Sequence, residues 1–201
     1  MDLILIAGMP AAGKTSIGRR LSGDLKIPML SKDSIKEILF DTVGFKSREE
    51  KNALGVAAFQ MMHDAAKNIL LCGGSVILEN NFDNASKPDV MRLIAQTCAR
   101  TLTVLVDCEY AEVYRRYVKR DQSPERHRGH VLNTIYPEPA GAGTSPYAPL
   151  PCNTLQKGME ARGFRTFDVG GERIEIDTTD FDSFDYPALL DNIRERLRGP
   201  V

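Results

Sequence analysis

The chain has 201 residues, close to the upper end of the roughly 100–200 that one domain takes, and 42% of them are hydrophobic, enough for a packed core. Lys+Arg number 26 and Asp+Glu 27, a formal net charge of −1, so no global basic field points to nucleic acid and any phosphate recognition has to be local. Cys72, Cys98, Cys108 and Cys152 form no C-x-x-C pair and follow no secretory signal, so reduced, mostly buried thiols of a cytoplasmic protein are expected; no apolar run reaches the ~18 residues of a membrane span.

Leu3-Ile4-Leu5-Ile6-Ala7 is apolar without alternation, the signature of a strand buried on both faces of a parallel sheet. Gly8-Met9-Pro10-Ala11-Ala12-Gly13-Lys14-Thr15 follows it and leads into a helix expected from Lys14 to Leu25. This is G-x-x-x-x-G-K-[ST] in the strand-to-helix context that makes a P-loop. Glycines let successive backbone N–H groups converge on a polyanion, and the helix adds its positive end. Gly8, Pro10, Ala11, Ala12, Gly13, Lys14, Thr15 and Ser16 are therefore expected to cradle the phosphates of ATP. Lys14 would serve as a point charge on the transferring end, and the Thr15 hydroxyl would ligate Mg²⁺.

Residues 28–31 suit a short second strand, and Ile35, Ile38 and Leu39 recur at helical spacing after it. Ser47-Arg48-Glu49-Glu50 is a capping box opening a long helix. Its apolar face is expected at Leu54, Ala57, Ala58, Met61, Ala65, Ile69 and Leu70, with Met61-Met62 as core filler and Gly73-Gly74 as the stop. Further strands are expected at 75–78, 101–106 and 173–177, and helices at 87–99, 109–121 and 186–198. Residues 122–151, rich in Gly and Pro, have the composition of a loop or lid. Strands alternating with helices predict an α/β P-loop NTPase fold: a parallel five-stranded sheet sandwiched by helices. One kinase domain over 1–201 is expected, with a mobile Arg-rich lid at about 121–152.

Ligands of such sheets sit beyond the carboxyl ends of the strands. Asp33 follows the second strand, where a carboxylate can orient an acceptor hydroxyl and take its proton; it would equally suit the N-cap of a helix starting at Ser34. Glu79 ends the third strand in a Walker-B-like position that can hold Mg²⁺ or bind the acceptor. Asp107 ends the fourth strand, where it can also cap the next helix. Arg116 and Arg120 lie four apart on one helix face, with Arg126 and Arg128 beyond, placed to stabilise a transferring phosphoryl group. His127 and His130 lack acidic or Cys companions at ligand spacing, so they are expected to order the lid rather than bind metal. Asp168-Val169-Gly170-Gly171 looks like a GTPase switch, but no N-K-x-D exists in the chain, and Gly170-Gly171 is expected to be a turn.

Together GMPAAGKT, SKDSIKEILFD, SVILENNF and RRYVKRDQSPERHRGH resemble the small P-loop kinases of the AAA_33/zeta-toxin-like group. That group includes chloramphenicol phosphotransferase and the 5′-kinase domain of polynucleotide kinase, and the resemblance covers residues 1 to about 130. It implies Asp33 as general base, Glu79 as the acidic strand residue near metal or substrate, Arg116, Arg120 and Arg126 as lid arginines, and Arg126-His127 with Gly129-His130 as the group's R-H-x-G-H. The expected activity is an ATP- and Mg²⁺-dependent phosphotransferase acting on a hydroxyl of a small molecule. The alternatives are a P-loop ATPase switch acting on a partner and a nucleic-acid 5′-hydroxyl kinase. The second is disfavoured by the charge balance and by the lack of an aromatic-plus-basic strip.

Overall fold

A computed structural model of the protein describes residues 1–139 and 148–199; the middle of the Gly/Pro-rich stretch expected at 137–151 lies outside them. The sheet is built on β1 (Asp2–Gly8), with β2 (Met29–Ser31), β3 (Val76–Glu79), β4 (Arg100–Asp107) and β5 (Glu172–Asp177) in the order β2-β3-β1-β4-β5, every pair parallel. β1 is central, so both of its faces are covered, and this is why its sequence carries no polar alternation. Leu3, Leu5 and Ala7 pack on one side with Met62, Ala66, Leu70, Val90 and Leu93. Ile4 and Ile6 pack on the other with Ile17, Leu21, Val113, Met159, Leu189 and Ile193. Each such side chain, fully buried, is worth about 1.5–3 kcal/mol against exposure.

The helices that supply these layers are α1 (Lys14–Leu25), α5 (Tyr110–Asp121), α7 (Cys152–Arg162) and α8 (Tyr186–Arg198) on the second face, and α3 (Arg48–Leu71) and α4 (Lys87–Thr97) on the first. Two more, α2 (Lys32–Thr42) and the single turn α6 (Arg128–Val131), meet over a satellite cluster of Phe40, Phe45 and Leu132. The α/β architecture with a helix-flanked parallel five-stranded sheet is the one expected from the sequence.

Several local expectations need correction. Helix α3 is capped by Ser47, whose Oγ accepts from Glu50 N at 3.2 Å, while Glu50 Oε2 accepts from Lys46 N at 2.6 Å rather than from Ser47. Its buried stripe is Lys51, Gly55, Ala58, Met62, Ala66 and Leu70, so Met62 is core but Met61 is 53% exposed. Small residues at 55, 58 and 66 allow close packing there, and these, rather than the largest side chains, set the helix rotation. All four cysteines are free, but only Cys108 is buried; Cys72 and Cys98 are exposed because they form the C-caps of α3 and α4. Asp33 lies in the first turn of α2, and the N-cap is Ser31. Helix α7 is not among the expected elements, although Leu155, Met159 and a closing Gly163 at φ 71° carry its signal.

Candidate functional site

Parallel pairing brings the carboxyl ends of the strands together: Ser31 lies beside Glu79, Ile6 beside Glu79, and Gly8 beside Val106. The chain leaves β1 at Gly8, where φ is 133° and a Cβ would run into the Val106 carbonyl, so only glycine fits. It turns through Ala11 at φ 62° and Gly13 at φ 93° into α1. No side chain caps α1, which leaves its first N–H groups available to an anion.

A cavity of about 460 Å³ opens above this turn. Pro10, Ala11, Gly13, Lys14, Thr15 and Ser16 form its floor, Asp33, Glu79 and Asn81 one wall, and Arg116, Tyr117, Arg120, Arg126 and His130 the other. The expected site residues thus converge, apart from Gly8 at the strand end and Ala12, which is fully buried and whose carbonyl accepts from Thr178 Oγ1 at 2.8 Å. Lys14 is 5% exposed and donates to Met9 O at 2.6 Å; burial pushes its pKa down to about 8, against the opposing pull of Glu79 and Asp33. Glu79 is fixed on both oxygens, by Ser31 Oγ at 2.6 Å and Thr15 Oγ1 at 3.3 Å. A hydroxyl and a carboxylate of this kind suit Mg²⁺, which takes one or two protein oxygens and completes its shell with water and phosphate.

Asp33 is ringed by protein, yet its side chain stays open to the cavity. Burial would push its carboxyl up, but His130 in its protonated form, with Arg126, Lys36 and Lys14, holds it below the ordinary value. The His130 pKa falls as well: burial first, then Arg126 and Lys36, push it down to about 3 against the opposing pull of Asp33, so at neutral pH the imidazole is neutral and the carboxylate ionised. His130 Nε2 lies 2.9 Å from Glu37 Oε1, and His127 Nε2 lies 3.0 Å from Asp41 Oδ1. Both histidines dock the segment after α5 onto α2, and no group of three or more metal-ligating side chains occurs among the described residues.

The arginines differ in their attachments. Arg116 is spent on protein: Nε donates to Glu112 Oε1 at 2.6 Å, and Nη2 to the carbonyls of Thr178 at 2.8 Å and Thr179 at 3.0 Å. Arg120 and Arg126 share one carboxylate, Asp121, at 3.0 and 3.5 Å. Asp121 is itself only 7% exposed, and sequence reasoning missed it because an acidic residue at a helix end looks like surface. Asp107 does not cap α5; it accepts from Cys108 N at 2.8 Å and from Arg165 Nε at 2.7 Å. Phe181, also missed, covers the loop closely enough that a Cβ on Gly13 would stand 2.5 Å from its ring. Gly170-Gly171 is the turn expected, with Asp168 Oδ1 accepting from Gly170 N at 2.8 Å.

A second cavity, also about 460 Å³, shares Asp33 and Asn81 with the first. Its walls come from Lys32 and Lys36 of α2, from Asn52, Gly55, Val56 and Phe59 of α3, from Asp83 after β3, from Arg162 at the end of α7 and from Phe164 just beyond it.

Residues 4–136 match the family AAA_18, described as an AAA domain. The chain belongs to this family. It is 29% identical over 138 residues to shikimate kinase of Corynebacterium glutamicum, a match covering 59% of this chain and 78% of that one. A candidate kinase from Chloroflexus aurantiacus superposes over 96% of this chain and 97% of its own with a TM-score of 0.80 at 26% identity. Shikimate kinase of Bacteroides thetaiotaomicron superposes over 98% of this chain and 99% of its own, with a TM-score of 0.57 and 16% identity. The fold of this AAA-domain protein is thus that of the small P-loop kinases. No helix among its described residues is long and apolar enough to cross a membrane.

Proposed function

We propose that this AAA-domain protein is an ATP-dependent phosphotransferase that moves the γ-phosphate of ATP to a hydroxyl of a small molecule, acting as a single kinase domain in the cytoplasm. The observation that carries the reading is Asp33, an ionised and accessible carboxylate in the partition between a P-loop cavity and a second cavity large enough for a metabolite.

Lys14 and the N–H groups of residues 11–16 hold the phosphates. Thr15 and Glu79 would hold Mg²⁺, which neutralises the phosphate charge when bound. Asp33 orients the acceptor hydroxyl and takes its proton as the oxygen bonds to the γ-phosphorus and the bond to the β-phosphate oxygen breaks. Arg120 and Arg126 meet the charge on the transferring group, while Arg116 positions the end of α5 against the loop after β5. Among the small P-loop kinases we place the chain with the zeta-toxin-like group, on the strength of Arg126, His127, Gly129 and His130.

The test is ADP release from ATP by the purified protein over a panel of alcohols, sugars, nucleosides and hydroxy acids, with Lys14→Ala as blank. Release that depends on the acceptor is expected. The same slow phosphate release whatever is added would instead favour a nucleotide-driven switch.

A further inference from the structure

We propose that the second cavity binds an anionic acceptor, a hydroxy compound carrying a carboxylate or phosphate group, with that group held by Lys32, Lys36 and Arg162. This rests on the kinase reading above and narrows its substrate.

Most cations of the first cavity are satisfied by protein: Lys14 by Met9 O, Arg116 by Glu112 and two carbonyls, and Arg120 by Asp121, with the buried Nε of Arg126, 3.5 Å from Asp121, lacking a hydrogen-bond partner among the described residues. Those of the second are not. Among the described residues Lys32, Lys36 and the Arg162 guanidinium make neither ion pair nor hydrogen bond, only ring contacts: Lys32 with Phe59 at 5.7 Å, Lys36 with Phe40 at 5.2 Å, and Arg162 with Phe164 at 5.7 Å. Lys32 and Lys36 are one helical turn apart, so they repel each other. Burial lowers the pKa of both, each is lowered further by a neighbouring cation, and only carboxylates near the partition favour the charged forms. Of these, Asp33 is the proposed base, and Asp83 lines the cavity itself, with its Oδ1 accepting from Ser86 N at 3.0 Å.

Three cations in a concave site lined by two carboxylates, Asp33 and Asp83, leave an excess of positive charge that costs free energy in the empty protein, and an anion in the cavity offsets it. Two further features of the cavity fit. Gly55 has no side chain, so Lys36 crosses α3 with Nζ only 3.4 Å from where a Cβ would stand. Phe59 and Val56 add an apolar wall that suits the carbon skeleton of a small molecule. Because Asp33 belongs to both cavities, an anion seated on the lysines leaves a neighbouring hydroxyl of the same molecule at the carboxylate.

The test is isothermal titration of the full chain saturated with MgADP, using matched pairs: glycerol 3-phosphate against glycerol, and glucuronate against glucose. The charged member of at least one pair should bind tenfold or more tightly than its neutral partner. That preference should fall to within threefold in Lys36→Met and in Lys32→Met, with MgADP affinity unchanged. Equal or tighter binding of the neutral members, a preference that survives both substitutions, or binding of neither member overturns the proposal. So does a 5′-hydroxyl oligonucleotide that outcompetes the small anions. The kinase reading fails separately, through ATP turnover that ignores every added acceptor, so binding decides the one and turnover the other.

Discussion

Lys51 Nζ donates to the carbonyl of His130 at 2.9 Å, joining the buried face of α3 to a segment 79 positions away. The same ammonium reaches Leu132 O and, at 3.2 Å, Asn133 Oδ1. Lys51 is thus the clasp of the segment that carries Arg126 and His130 to the site. Lys51→Met leaves buried carbonyls unpaired and should destabilise the protein by about 2–4 kcal/mol, since bonds to charged groups are worth about 1.5–3 kcal/mol each and are only partly offset by the desolvation regained. Urea unfolding measures this, and turnover should fall with it.

Asp33→Asn keeps the shape of the partition and removes the proposed base. A fall in kcat of about 10²–10⁴ is expected with the KM for ATP within twofold. The surrounding cations hold Asp33 below the ordinary aspartate value, so the acid limb of the wild-type pH–rate profile should also lie below about pH 3.9. An unchanged kcat in the variant removes Asp33 from the chemistry.

Lys14 makes a prediction about stability. Its pKa near 8 in the folded protein lies below its unfolded value of 10.5, so between those two pH values the unfolded chain binds more protons and stability rises with pH. Below pH 8 the full cost of the buried charge is present. In the absence of nucleotide, Lys14→Met should therefore stabilise the protein at pH 7 by up to about 3 kcal/mol and lose that advantage towards pH 10.5. Denaturant midpoints at several pH values decide it; a gain independent of pH would show that the ammonium is not desolvated.

Asp121 and Arg116 separate two kinds of arginine attachment. Asp121→Asn loosens Arg120 and Arg126 together and should lower kcat about 10–100-fold with little change in the KM for ATP. Arg116→Met, by cutting α5 from the carbonyls of Thr178 and Thr179, should act on thermal stability and on the KM for ATP more than on kcat. Steady-state kinetics of the two variants test the contrast.

Met62→Ala should cost about 2–5 kcal/mol because it opens a void against β1, whereas Met61→Ala, on the exposed side of α3, should stay within about 0.5 kcal/mol. Chemical denaturation of the pair fixes the rotation of the helix.

What the sequence disclosed depended on how local the signal was. The P-loop is one continuous motif, and Asp33 and Glu79 could be placed because any parallel sheet gathers its carboxyl strand ends. Arg116 and Arg120 needed only helical spacing. Residues whose meaning depends on remote docking stayed hidden. Lys51 has the look of a solvated lysine until α3 meets residues 130–133, and Asp121 that of a surface acid until Arg126 folds back on it. Arg162 enters the second cavity only because α7 packs against Asn84, whose N–H donates to the Arg162 carbonyl at 2.9 Å. The stripe of α3 departs from its hydrophobic pattern for a related reason: hydrophobicity marks Met61, but close approach to α2 and the sheet selects Gly55 and Ala58.

Under the proposed reaction, the partition formed by Asp33 and Asn81 also sets the order of events. In that reaction, with a separate chamber for each reactant and no nucleophilic side chain needed between them, both ligands would occupy the protein at once. The phosphoryl group would then cross in a single in-line displacement. Initial-rate plots against the two substrates should intersect rather than run parallel, and a chiral γ-phosphate should emerge inverted.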